Sequence, residues 1–171
     1  MKLVVWLWNI WKEYMWHKHN IWFQIIDWYS QHLWKYYDSK FCNWKILELD
    51  KFLICCKPMT FMNNSWYCVK KLADYYNISP QNILIIHDEI DFEIWRIQLK
   101  FWWSSAWHNW IKSIIDELQT KDFYRLRIWI WRPKDNDIYN YVLSNFDKEQ
   151  KKIINNLKPE IYKTIFDFIY N

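Results

Sequence analysis

Histidine, carboxylate and amide side chains cluster in three short stretches of this chain: His17-Lys18-His19-Asn20, His87-Asp88-Glu89 and His108-Asn109. A histidine of ordinary pKa takes up and releases protons near neutral pH. Asp88 lies just past the apolar run Ile83-Leu84-Ile85-Ile86, at the carboxyl end of an expected buried strand, where open α/β sheets usually carry reactive groups. Asn9, Asn63 and Asn109 are neutral amides that can both donate and accept. Taken singly, each residue has a plainer reading. His19 is a loop histidine, Asp88 a turn or cap residue, and Asn63 a helix cap. His87 and His108 read as structural, and Lys100 and Arg127 as solvated charges. His17 and His19 lack a matching carboxylate-rich segment, so their spacing gives a metal pair little support.

The elements that would position these groups follow from the apolar pattern. Residues 2 to 7 read as a buried strand and 8 to 20 as a long polar loop. Ile21, Phe23, Ile25, Ile26 and Tyr29 suggest a helix. Residues 45 to 49 and 52 to 56 read as strands. Asn63-Asn64-Ser65 starts a helix carrying Val69, Leu72, Ala73 and Tyr76. Residues 83 to 86 form a strand buried on both faces, ending abruptly at His87. Residues 94 to 100 and 125 to 131 are two more strands. Ile111, Ile114, Ile115 and Leu118 mark an amphipathic helix between them. From 147 onward the pattern is helical, interrupted or restarted near Pro159. The fold class expected is α/β: a single domain over 1–171, with a twisted, mixed, largely parallel sheet flanked by helices.

Charged residues make up 25% of the chain, which argues against disorder. The net charge of +4 permits a polyanionic partner without demanding one. Cys42, Cys55, Cys56 and Cys68 form no Cys-x-x-Cys pair, so a zinc site has little support and a reduced cytosolic chain is expected. The apolar opening that starts Met1-Lys-Leu-Val-Val is cut short by polar Asn9 and Lys12-Glu13, unlike a signal peptide. No apolar stretch reaches the roughly 18 residues of a membrane span.

The composition holds one anomaly: 16 tryptophans and no glycine in 171 residues. Ordinary usage predicts about a dozen glycines. The excess and the deficit are of similar size, and many of the tryptophans stand where local sequence asks for glycine. If tryptophan replaces glycine, residues 6 to 11 become G-x-G-x-x-G after a strand, a dinucleotide-binding fingerprint with Asp27 near the acidic position. That fingerprint needs a helix beginning inside the turn, and no apolar stripe appears before Ile21. A dinucleotide-dependent oxidoreductase is therefore one alternative. A tryptophan-rich module stacking on single-stranded nucleic acid is another, but Trp6-x-Trp8-x-x-Trp11 and Trp102-Trp103 lack interleaved cations.

Several segments taken in order resemble the bacterial peptidyl-tRNA hydrolases. They are Val5-Trp-Leu-Trp-Asn9-Ile-Trp-Lys-Glu-Tyr14 with His19-Asn20-Ile-Trp-Phe23, Lys57-Pro-Met-Thr-Phe61-Met62-Asn63, and His87-Asp88-Glu89-Ile-Asp91. Lys100-Phe-Trp-Trp-Ser-Ser-Ala-Trp-His108-Asn109 and Phe123-Tyr-Arg-Leu-Arg127-Ile-Trp-Ile-Trp-Arg-Pro133 complete the set. Order and spacing hold from residue 3 to about 146. The resemblance implies hydrolysis of the ester between a stalled peptide and tRNA. It implies His19 as general base on the attacking water, with Asp88 orienting the imidazole. Asn9, Asn63 and Asn109 would grip the peptide or terminal adenosine and stabilise oxyanion charge. Phe61 and Met62 would be apolar walls, and Tyr14 a further substrate contact. Lys100 and Arg127 would pair with tRNA phosphates. No metal or cofactor is implied, and a cytoplasmic monomer is expected. The chain departs from the family at Ile10, where proline is usual, and wherever tryptophan occupies a family glycine.

Glycine serves where φ is positive or backbones approach closely, and a bulky residue there is an outlier. Backbone strain of about 1–3 kcal/mol per site, plus overpacking, would exhaust a native stability of about 5–15 kcal/mol after a few such substitutions. The chain as written is therefore expected to be misfolded or inactive, with its polar catalytic set intact.

Overall fold

The computed structural model describes residues 1–6, 17–18, 38–41, 44–50, 53–57, 65–90, 97–102, 105, 109–130 and 137–171. Within them runs one seven-stranded sheet in the order β2-β3-β4-β1-β5-β7-β6. The strands are β1 (Lys2–Trp6), β2 (Asp38–Phe41), β3 (Trp44–Asp50), β4 (Leu53–Lys57), β5 (Ile83–Glu89), β6 (Ile97–Phe101) and β7 (Tyr124–Trp129). The four central strands β4, β1, β5 and β7 are parallel to one another. The outer pairings β2–β3, β3–β4 and β6–β7 are antiparallel. The sheet is therefore mixed, with the parallel centre buried under helices.

Two apolar layers follow from strand alternation. Leu3, Val5, Ile83, Ile85 and Phe123 face α1 (Ser65–Tyr75) and α2 (Asn109–Leu118), which contribute Val69, Leu72, Ala73, Ile111 and Ile114. Val4, Leu84, Ile86, Leu126 and Ile128 face the opposite way, where Phe146 and the long helix α4 (Lys148–Tyr170) cover them. The short helix α3 (Ile138–Val142) precedes α4.

Helix α4 corrects the expectation of a break near Pro159, because it runs unbroken through the proline. A proline inside a helix loses one hydrogen bond and costs about 3 kcal/mol. Ile154 on one side of it, and Ile161, Ile165 and Phe168 on the other, all pack into the same core, and their burial offsets that cost. Asp147 caps the start: its carboxylate accepts from Gln150 N while the Gln150 side chain accepts from Asp147 N. Strand β5 also departs from expectation. It does not stop at His87 but continues through Glu89, with all seven residues buried. Two elements were not anticipated, β2 and α3. Strand β2 (Asp-Ser-Lys-Phe) has no apolar alternation and exists by pairing with β3. The expected helix near 21–29 lies outside the described residues.

Left-handed backbone occurs at Asn77, Trp102 and Gln119, with φ of 52°, 55° and 54°. Asn77 and Gln119 follow the ends of α1 and α2. After α1 a Schellman pattern forms, with Ile78 N donating to Ala73 O at 2.7 Å. Asparagine tolerates this region; tryptophan does not, and about 1–2 kcal/mol of Cβ repulsion is expected at Trp102. Trp66 and Trp110 lie in helices, and Trp6 and Trp129 in strands, so among the described tryptophans only Trp102 has a glycine-like φ. Trp6 carries a different penalty. Its indole is buried in the core, and Nε1 finds no hydrogen-bond acceptor among the described residues.

Candidate active site

The carboxyl ends of β1, β5 and β7 lie side by side, with Trp6 beside Ile86 and Glu89 beside Trp129. This is the edge at which parallel α/β sheets usually carry ligand sites. Asp88 sits on it, 1% exposed. Alternation along β5 puts its side chain on the face of Leu84 and Ile86, the face covered by Phe146 and α4. An aspartate in that setting is held away from bulk water, which sharpens its electrostatic effect on a neighbouring cation.

His17 and Lys18 are docked on the same face. His17 pairs with Asn145 in an antiparallel bridge, and Lys18 N donates to Ser144 O at 3.0 Å. The next residue in the chain is His19. The loop that receives them, 143–146, leads into Phe146, which packs in the core with Trp6, Ile128 and Ile130. Residues 17 and 18 are thus anchored over the face that holds Asp88.

On the other face of the same strand ends, Glu89 and Arg127 form a buried ion pair. Arg127 donates to Glu89 Oε2 from Nε at 3.1 Å and from Nη2 at 2.5 Å, and from Nη1 to Gln98 Oε1 at 3.4 Å. Glu89 Oε1 accepts from Ile90 N at 2.9 Å, and Glu89 O accepts from Ile130 N at 2.9 Å. Removing one partner would leave a buried charge, at a cost of about 3–5 kcal/mol. Arg127 is thus already engaged by a carboxylate, unlike the solvated charge that its isolated sequence suggests. Arg125, across the strand from Lys100, is buried with its guanidinium 4.9 Å from the Phe123 ring. Burial, with Arg127 nearby, pushes Arg125 down to about 10. Lys100 lies on β6 at the sheet edge and is half-buried. His87 is buried, its Nδ1 donating to Asp88 O at 2.8 Å, which suits a structural residue.

Of the other residues expected at the site, Asn109 is the first residue of α2. That helix ends at Leu118, five residues before Phe123 leads into the amino end of β7. Its amino terminus therefore points back toward the carboxyl edge. Asn9, Tyr14, His19, Phe61, Met62 and Asn63 lie outside the described residues. Among the described residues, no group of three or more His, Cys, Asp or Glu could hold a metal ion. Nor is any described helix long and apolar enough to cross a membrane. Sequence reasoning missed Lys18 and Glu89. Both are charged residues in polar stretches, and nothing local signals that they are buried.

A buried carboxylate at the carboxyl ends of parallel strands, with residues 17 and 18 docked on the same face, marks the ligand-binding edge of an α/β sheet. Comparison with known proteins narrows the class. Residues 3–170 match the family described as peptidyl-tRNA hydrolase. The peptidyl-tRNA hydrolase of Listeria welshimeri is 39% identical over 90% of this chain and 86% of its own. That of Mycoplasma mycoides subsp. mycoides is 40% identical over 100% of this chain and 94% of its own. A solved mutant of peptidyl-tRNA hydrolase from Acinetobacter baumannii superposes with a TM-score of 0.82 at 27% identity, covering 93% of this chain and 83% of that one. The chain belongs to the peptidyl-tRNA hydrolase family.

Proposed function

We propose that this chain cleaves the ester joining a peptide to tRNA, with His19 and Asp88 as its proton-handling pair. The observation that carries the site assignment is the docking of residues 17 and 18 over the sheet face that holds buried Asp88. His19 takes a proton from water as the water oxygen attacks the ester carbonyl. The carbon–oxygen bond to ribose then breaks, and the ribose oxygen leaves with the proton from His19. Asp88 orients the imidazole and favours its protonated form. Asn9, Asn63 and Asn109 hold the peptide or terminal adenosine and meet oxyanion charge. Tyr14, Phe61 and Met62 line the substrate end. Lys100 meets tRNA phosphate; Arg127 does so only to the extent that Glu89 releases it. The working protein is a cytoplasmic monomer that needs neither metal nor cofactor.

We also propose that the working protein carries glycine where this chain has tryptophan. The left-handed φ of Trp102, and the buried indole of Trp6 that finds no acceptor among the described residues, support that reading. One exchange rule then explains both the missing glycine and the surplus tryptophan.

Substrate binding separates this reading from a dinucleotide enzyme. With glycine at the 16 tryptophan positions, the chain is expected to bind peptidyl-tRNA and to give no saturable NAD binding. Tight NAD binding with indifference to peptidyl-tRNA would overturn it.

A further inference from the structure

The geometry points to Lys18 as a positioning residue that anchors the chain immediately before His19 on the sheet face that holds Asp88. This inference rests on the catalytic reading of those two residues.

Lys18 is 4% exposed, an unusual place for an ammonium group. Its Nζ donates to Ser144 Oγ at 2.7 Å and to Asn145 O at 2.8 Å. The same nitrogen lies 4.4 Å from the centre of the Tyr141 ring and 5.6 Å from that of Phe146. The backbone adds to this hold through the Lys18 N to Ser144 O bond and the His17–Asn145 bridge. Burial lowers the Lys18 pKa from the usual lysine range, and Asp147 at the start of α4 pulls it back up. A desolvated cation held by two oxygens and two ring faces has few ways to move.

The receiving loop is tied to the sheet in turn. Ser144 Oγ donates to Tyr141 O at 2.7 Å, and Tyr141 OH donates to Ile130 O at 2.9 Å. Ile130 N donates to Glu89 O at 2.9 Å. A chain of contacts thus runs from Lys18 through Ser144, Tyr141 and Ile130 to Glu89. Its ends are the residue before His19 and the residue after Asp88. Consecutive Cα atoms are about 3.8 Å apart, so Lys18 and Glu89 are anchors one residue away from the two catalytic candidates. Neither Lys18 nor Ser144 takes part in proton transfer; their effect acts through His19.

Kinetics on peptidyl-tRNA test this in the full chain carrying glycine at the tryptophan positions. Lys18→Met keeps the side-chain length and removes the charge. It is expected to lower kcat about 10- to 100-fold, since a misplacement near 1 Å costs on that order, with KM changed less than about 2-fold. Ser144→Ala should lower kcat less. The double variant should be no worse than Lys18→Met, because both act through one unit. Unchanged kcat in Lys18→Met overturns the proposal, as does a loss confined to KM. If Lys18→Met loses its cooperative melt, Ser144→Ala decides: lower kcat at constant KM supports the clamp and unchanged kcat overturns it. His19→Ala is measured alongside. If it leaves turnover intact, the catalytic reading fails. If it abolishes turnover while the Lys18 and Ser144 variants do not slow it, only the clamp fails.

Discussion

Asp88→Asn is expected to lower kcat for peptidyl-tRNA cleavage by roughly 10²- to 10⁴-fold while leaving the thermal melt cooperative. The substitution is nearly isosteric, so the strand should keep its packing among Leu84, Ile86 and Ile128. What disappears is a negative charge. In the folded chain that charge sits at the end of a fully buried strand, out of reach of solvent screening. There it can stabilise an imidazolium that forms only when water is deprotonated, so its loss raises the barrier more than it weakens binding. KM should therefore move little. Steady-state kinetics on a defined peptidyl-tRNA, with a parallel circular dichroism melt, checks both parts. A fall in kcat below about 3-fold would remove Asp88 from the mechanism.

Placing glycine at all 16 tryptophan positions is expected to change the chain even more, turning a poorly folded, inactive polypeptide into a cooperative, active one. Two described sites show the direction. Trp102 is 64% exposed, so its indole gains little from packing, while its backbone sits at φ 55°. Trp102→Gly alone should stabilise by about 1–2 kcal/mol and raise Tm by roughly 2–8 °C in a domain of this size. Trp6 is the opposite case, deeply packed with an indole N–H that finds no acceptor among the described residues. A buried, unmade hydrogen bond costs about 1–3 kcal/mol, although removing the ring also forfeits apolar burial. Buried tryptophans need not improve singly. The gain is expected from the set, since substitutions that share contacts need not add. Near-UV circular dichroism and turnover of the two chains decide the matter. A cooperative melt and normal turnover in the tryptophan chain would defeat the proposal.

Much of the fold was legible because its central strands and helices obey simple periodicities. Ile83 to Ile86 could only be a strand buried on both faces, and Ile111, Ile114 and Leu118 could only be one side of a helix. The less legible parts depend on distant partners. Asp38 to Phe41 becomes a strand because β3 offers it an edge. Helix α3 announces itself only through the Asp137 cap, whose side chain accepts from Asn140 N. Pro159 argued locally for a break that the apolar stripe on either side of it overrode. The same division holds at the site. The place of Asp88 at the carboxyl end of a buried strand was legible from the apolar run before it, while its catalytic role was expected only through the family resemblance. The Glu89–Arg127 pair and the buried Lys18 were not, because each owes its burial to groups far along the chain. A lone charge in a polar stretch gives no sign of such a partner.

The central claim is that His19 acts as a general base on the tRNA ester, and the pH dependence of kcat/KM tests it most directly. In the glycine-bearing chain the rate should rise with pH along a limb that follows the imidazole as it becomes neutral and able to accept a proton. His19→Ala should lose that limb and fall by about 10²- to 10⁴-fold at neutral pH. An unchanged rate and an unchanged limb in His19→Ala would contradict the account.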